Sequence, residues 1–229
     1  MKIYAINGSP RNNMNTAAML SKFLEGASSV GADIKTETVH LYDLDYKGCR
    51  SCFSCQREGD GYSKCAVNDS IHDLLRDISA ADGVVFGSPV YFHEITAQMR
   101  GFLERLIYPY VSFEQFGRSN APKALFSTFI YTMNVREEQM ADSNYQEHFT
   151  AIENFLQRVF KHKPERVYAF NTYQYENYAD FKVSAWDESD KAAYREKQFP
   201  VDCRNAFEAG KRMADKIQAI ENILISNRT

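Results

Sequence analysis

At 229 residues, 44% of them apolar and with a formal charge of −3, the chain is long enough for one α/β unit with a sizeable core. The balance of 27 basic against 30 acidic side chains excludes the basic footprint of a nucleic-acid binder and gives no reason to expect a basic partner. No 18-residue apolar run is present to span a membrane, no leader precedes the first apolar stretch, and five cysteines do not form a secreted disulfide framework, so a cytoplasmic setting is expected.

Residues 1–6 are apolar apart from Lys2 and predict a strand. They run into Asn7-Gly8-Ser9-Pro10-Arg11, after which Asn15-Thr16 opens a helical pattern with Leu20, Phe23, Leu24 and Ala27 on one face. Strand, polar loop and helix together make an anion site, because the first helical turn presents unpaired N–H groups and the helix dipole favours negative charge. Ser9, Asn15 and Thr16 add hydrogen bonds, and Arg11 adds charge if it turns inward. The plainer reading is a strand-to-helix connection with Asn15 or Thr16 as its cap. Neither the Gly-Lys-[Ser/Thr] ending of a Walker loop nor G-x-G-x-x-G is present, which leaves a terminal phosphate monoester as the anion that fits best.

Gly31-Ala32 breaks the helix, and 34–41 alternates as a second strand. Residues 42–68 are irregular, with turns at Gly48, Gly59 and Gly61, and they carry four of the cysteines. Asp69 or Ser70 caps a helix bearing Ile71, Leu74, Leu75 and Ile78. A third strand at 83–87 ends in Ser88-Pro89-Val90-Tyr91-Phe92-His93-Glu94, and from Thr96 a helix carries Met99, Phe102, Leu103 and Leu106. A polar-aromatic loop at 109–121 leads to a fourth strand at 123–131. A helix at 146–163 follows, striped by Phe149, Ile152, Phe155, Leu156, Val159 and Phe160, and then a fifth strand at 166–170. Residues 171–200 are charged and Tyr-rich with a short helix at 189–197, and a last helix spans 202–220. This alternation predicts an α/β fold, a doubly wound parallel sheet of five strands with helices on both faces. It is read as one domain over 1–229, carrying a cysteine-rich loop at 42–68 and an aromatic, charged insertion at 171–200. Ligands of such sheets bind beyond the carboxyl ends of the strands, so the loops at 8–16, 88–94 and 131–134 are expected to converge, the last offering Tyr131 and Thr132.

Cys49, Cys52 and Cys55 at C-x2-C-x2-C spacing, with Cys65 beyond them, offer four thiolates to a metal. A [4Fe–4S] cluster, a structural zinc ion and free thiols all remain open on spacing alone. Cys203 stands apart and reads as buried.

Four features taken together resemble the flavodoxin-like NAD(P)H-dependent oxidoreductases of the FMN reductase group, near their iron–sulfur flavoprotein branch. These are Asn7-Gly8-Ser9-Pro10-Arg11 with Asn15-Thr16, Gly48-Cys49-x-x-Cys52-x-x-Cys55, Cys65-x-x-x-Asp69, and Gly87-Ser88-Pro89-Val90-Tyr91-Phe92. They cover roughly residues 1–107. The resemblance implies a sheet order of 2-1-3-4-5. It places an FMN phosphate on Ser9, Arg11, Asn15 and Thr16, and the isoalloxazine ring against Pro89, Val90, Tyr91 and Phe92. It implies NAD(P)H as electron donor and a small flat acceptor (quinone, nitro- or azo-aromatic, flavin) or a redox protein; a homodimer or higher homo-oligomer is expected. Met14 departs from the pattern where many relatives have Gly, and Cys65 comes later than the fourth cysteine of the iron–sulfur branch. His93 reads equally as a proton donor or as a surface histidine. Tyr173, Tyr175, Tyr178 and Trp186 are expected either over the flavin ring or as a solvated cover on a core edge. The alternatives are an iron–sulfur electron carrier and a flavin-binding protein without catalysis.

Overall fold

Apolar residues at successive positions give strands buried on both faces. The first is β1 (Lys2–Asn7), where Ile3 and Ala5 point to one side and Tyr4 and Ile6 to the other, all essentially inaccessible. The computed structural model describes residues 1–115, 117–142 and 144–226. After β1 come α1 (Asn15–Ser28), β2 (Lys35–His40), α2 (His72–Ser79), β3 (Gly83–Tyr91), β4 (Glu94–Ile95) and α3 (Ala97–Ile107). The second half contains β5 (Phe126–Thr132), α4 (Gln139–Asp142), α5 (Tyr145–Phe160), β6 (Glu165–Ala169), α6 (Glu188–Lys197) and α7 (Phe199–Ser226).

Parallel pairing gives the order β2-β1-β3-β5-β6, the flavodoxin-like arrangement expected from the sequence, with β4 attached only to β3. One face packs Tyr4, Ile6, Val84, Phe86, Phe129 and Tyr131 against α2, α3 and α5. The other packs Ile3, Ala5, Val85, Ile130 and Val167 against α1 and α7. Where α1 and α7 cross, Gly26 and Gly210 bring the two backbones together. A Cβ on Gly26 would lie 1.9 Å from the Phe207 carbonyl oxygen, and one on Gly210 1.9 Å from that of Phe23.

Several elements differ from the sequence reading; the fourth expected strand begins at Phe126 rather than 123, and the helix after it ends at Phe160 rather than 163. The third strand continues past Gly87 to Tyr91, with Ser88 and Pro89 still paired to Tyr131 and Thr132, and it then turns back as a hairpin in which Tyr91 faces Glu94. The turn at Phe92 and His93 has φ of 51° and 69°, the left-handed geometry of a two-residue hairpin. No Gly or Asn announces it. The last helix starts at Phe199 rather than 202, because Pro200 falls in its first turn, where the missing N–H would have no partner in any case. The first helix begins at Asn15 with Met14 in the cap position, and neither Asn15 nor Thr16 caps it.

Candidate functional site

At the carboxyl ends of β1, β3 and β5, the three expected loops are joined by hydrogen bonds. Gly8 N–H donates to the Gly87 carbonyl (2.8 Å), the Thr96 hydroxyl donates to the Gly8 carbonyl (2.8 Å), and the Thr16 and Thr132 hydroxyls share a bond of 2.7 Å. Ser88 Oγ accepts from Thr96 N–H (3.0 Å), which fixes the root of the hairpin to the start of α3. Close packing permits this meeting. A Cβ on Gly8 would lie 3.0 Å from Met99 Cβ, and one on Gly87 would lie 2.8 Å from Leu20 Cδ1.

Within the first loop, Ser9 N–H donates to Asn7 Oδ1 (2.9 Å) and Arg11 N–H to Ser9 Oγ (3.1 Å), an Asx turn followed by a hydroxyl turn. Ser9, Asn15 and Thr16 are all buried. No side chain caps α1, so no side-chain acceptor meets the donors of its first turn, at the positive end of the helix dipole. Arg11 does not turn inward, since its Nη1 donates to the Gln174 carbonyl (2.5 Å).

The hairpin presents its aromatic rings outward. Phe92 is fully exposed and Tyr91 is 44% exposed, while Pro89 and Val90 are half-buried beneath them. Two successive non-glycine residues at positive φ store on the order of 1–3 kcal/mol each, a cost that marks a turn held for its shape. His93 stacks on Tyr145 (centroids 4.6 Å apart) and lies 6.2 Å from the His148 ring, which itself faces Glu94 at 3.5 Å. It therefore leans on the start of α5.

Tyr131 does not belong to this rim. Side chains alternate along a strand, and Tyr131 shares the face of Phe129. It is wholly buried, stacks on Phe149 at 3.9 Å and donates to Glu153 Oε1 at 2.9 Å, and burial with the neighbouring carboxylate drives its pKa well up. Thr132, one residue on, points to the α1 side. In the same turn Asn134 Oδ1 is buried with no hydrogen-bond partner among the described residues.

The insertion at 171–200 folds over the first loop. Asn15 donates to the Tyr173 carbonyl (2.9 Å) and accepts from Arg195 Nη1 (2.6 Å). Tyr173, Tyr175, Tyr178 and Phe181 pack chiefly on one another, with centroids 4.4–5.0 Å apart, and Trp186 lies near Lys191 Nζ (5.5 Å from the ring centre). Tyr178 is the buried centre of this cluster, while Phe181 and Trp186 stay exposed. Lys191 is buried, donates to Asn171 Oδ1 (2.8 Å), and burial pulls its pKa down to about 8. The sequence reading missed Thr96, Asn134, Lys191 and Arg195. Only Thr96 carried a signal, as the capping residue ahead of a periodic helix, and it accepts from Met99 N–H.

Cys49, Cys52, Cys55 and Cys65 line one small cavity of about 20 Å³, room for a single water. Behind it, buried Arg105 is paired with Asp69 and donates to the carbonyls of Val67 (3.0 Å) and Lys47 (3.2 Å). Hydrogen bonds from Ser54 and the nearby Arg50 lower the pKa of Cys52 to about 7, whereas burial and the other thiols raise that of Cys55. The donor set suits a soft metal, and among the described residues no group of three His, Cys, Asp or Glu is arranged to hold an ion.

A parallel sheet in this order, with an uncapped helix start and an aromatic hairpin at its carboxyl rim, defines a flavodoxin-like protein. The chain belongs to the NADPH-dependent FMN reductase family, whose sequence model matches residues 1–145. An iron–sulfur flavoprotein of Methanocaldococcus jannaschii is 35% identical over 105 residues, 46% of this chain and 51% of that protein. The chain spans about half the length of the curated relatives it matches first. Among solved structures, an NAD(P)H:quinone oxidoreductase from Methanothermobacter marburgensis superposes with a TM-score of 0.65 at 17% identity, covering 92% of this chain and 98% of that one. An FMN-dependent NADH-azoreductase from Bacillus anthracis, in complex with FMN, gives 0.60 at 14% identity, covering 93% and 100%. At such identities these two structures speak for the fold. Among the described residues no helix is long and apolar enough to cross a membrane.

Proposed function

We propose that the chain is an FMN-dependent oxidoreductase that takes electrons from NAD(P)H and delivers them to a quinone, a nitro- or azo-aromatic compound, a flavin or a redox protein. The observation that carries this reading is the joined rim. The uncapped first turn of α1 sits beside buried Ser9, Asn15 and Thr16, one hydrogen bond away from the strained hairpin that exposes Tyr91 and Phe92. Ser9, Asn15, Thr16 and the first N–H groups of α1 would hold the phosphate, and Pro89 to Phe92 would hold the ring. When bound, FMN supplies hydride acceptance and onward electron transfer, while the protein orients the reactants. His93, stacked on Tyr145 and near His148, is the candidate to pass a proton to a reduced acceptor.

The test is reconstitution with FMN, removal of excess by gel filtration, and NADH or NADPH oxidation with a quinone. Retained yellow flavin and acceptor-dependent oxidation are expected, and a colourless protein would overturn the reading. Retained flavin without turnover would identify a flavin-binding protein that does not catalyse.

A second reading, an electron carrier with a [4Fe–4S] cluster on Cys49, Cys52, Cys55 and Cys65, draws support from four thiols on one cavity and from the iron–sulfur flavoproteins among the relatives. The lack of a metal-shaped group weighs against it. Anaerobic purification would then yield about four irons per chain.

A further inference from the structure

Between Cys55 and Cys65 the chain makes a closed loop. Ser63 N–H donates to the Cys55 carbonyl (2.8 Å), and inner turns run from Tyr62 N–H to the Gly59 carbonyl and from Lys64 N–H to that of Gly61. Gln56 Nε2 donates to the Tyr108 carbonyl (3.3 Å), which fixes the Cys55 end. Cys55 is 7% exposed, and Cys65 is half-buried against the same core cluster as α2 and α3. Both thiols line the cavity of about 20 Å³, and of the other three sulfurs Cys65 exerts the largest electrostatic effect on Cys55, as its nearest neighbour would. Buried Arg105, locked by Asp69, lies against Cys65. A second cavity of about 80 Å³, walled by His72, Leu75, Pro109 and Tyr110, also reaches Cys65, and Cys55 is not on its wall. A Cβ on Gly59 or Gly61 would meet nothing within 4 Å, so the loop has room to shift as the sulfurs close. The thiols are soft-metal donors, yet no three of them are arranged around an ion, and the space between them takes one water. Neighbouring thiols that do not surround an ion have another partner open to them, each other.

We propose that Cys55 and Cys65 are a redox pair that exchanges with low-molecular-weight disulfides and closes a reversible bond across the 56–64 loop. This chemistry needs neither flavin nor iron. Through the outer cavity the Cys65 thiolate attacks one sulfur of the small disulfide, forming a mixed disulfide and expelling one small thiolate. The Cys55 thiolate then attacks Cys65 Sγ, forms the intramolecular bond and expels the second. The two cysteines lose two electrons and two protons, and both leave with the two small thiols. In a reducing compartment the pair stays open and closes only when small disulfides accumulate.

The experiment equilibrates the full chain with glutathione and its disulfide at stepped ratios, alkylates the remaining thiols, and maps the peptides by mass spectrometry. A bond between Cys55 and Cys65 is expected, with loss of two of the five free thiols and full recovery in dithiothreitol. Cys55→Ser should instead hold the glutathione mixed disulfide on Cys65, and Cys65→Ser should lose the intramolecular bond. Cys52→Ser should form it as the parent does. A bond joining Cys52 to Cys55, glutathione resting on exposed Cys49 or Cys52 with no internal bond, or no change in any thiol would overturn the proposal. So would about four irons per chain in anaerobically purified protein, with the four clustered thiols shielded from alkylation. Retained flavin is not among these readouts, so failure of the thiol pair and failure of the FMN reading are distinguishable.

Discussion

Replacing Gly210 by alanine sets two effects against each other. Inside a helix such as α7 the change should stabilise by about 1 kcal/mol, from propensity alone. The added Cβ, however, would lie 1.9 Å from the Phe23 carbonyl oxygen, 2.8 Å from its carbon and 3.0 Å from Ala27 N, against the 3.4 Å at which ordinary contact begins. All three are backbone atoms of α1, so no rotamer change relieves the overlap. The helices must part by on the order of 1 Å, and a gap of that size forfeits a quarter to a half of the dispersion energy of each facing pair. The affected surface includes Met19, Phe23, Ala27, Ala206, Ala209 and Met213. Overpacking of this kind costs about 1–3 kcal/mol, and here it falls at the upper end because both partners are main chain. The net expectation is a loss of about 2 kcal/mol, read by urea unfolding followed by helix circular dichroism, with Tm lower by about 4–8 °C. FMN affinity should fall too, because α1 carries the proposed phosphate loop at its other end. A variant as stable as the parent, or more so, would refute the reasoning and show that propensity outweighs the crossing.

Arg166→Met strips Glu153 of hydrogen bonds of 2.7–2.8 Å and leaves a carboxylate that is 3% exposed with Tyr131 alone, so a loss of about 3–5 kcal/mol is expected in the same unfolding assay. For Lys191, burial lowers the folded pKa from 10.5 to about 8. Between those values the unfolded chain holds a proton that the folded chain lacks, so this group makes stability rise with pH across that window. Unfolding curves of Lys191→Met and the parent at pH 7 and near pH 10 should show the rise flattened in the variant. Phe92→Ala removes a fully exposed ring and should shift stability by less than about 0.5 kcal/mol while raising KM for a flat acceptor, as steady-state kinetics would show.

The sequence by itself determined the sheet. Alternating strands and helices, the polar loop after the first strand and the Pro-aromatic stretch after the third are local patterns, and local patterns follow from periodicity and turn chemistry. It also brought Ser9, Asn15, Thr16 and Thr132 to one rim, because strand order in a parallel sheet dictates which loops meet. Tyr131 was misplaced although its parity with Phe129 was legible, since reading a loop boundary by composition ignores the two-residue repeat that turns the ring inward. The hairpin at Phe92 and His93 was hidden because residues that normally avoid positive φ adopt it there. Only the tertiary structure decided what the 171–200 segment does. Arg195 meets Asn15, and Arg11 meets Gln174, across 180 and 163 residues. No periodicity encodes such pairings, because they depend on where a folded insertion comes to rest, set by packing and charge summed over the whole chain.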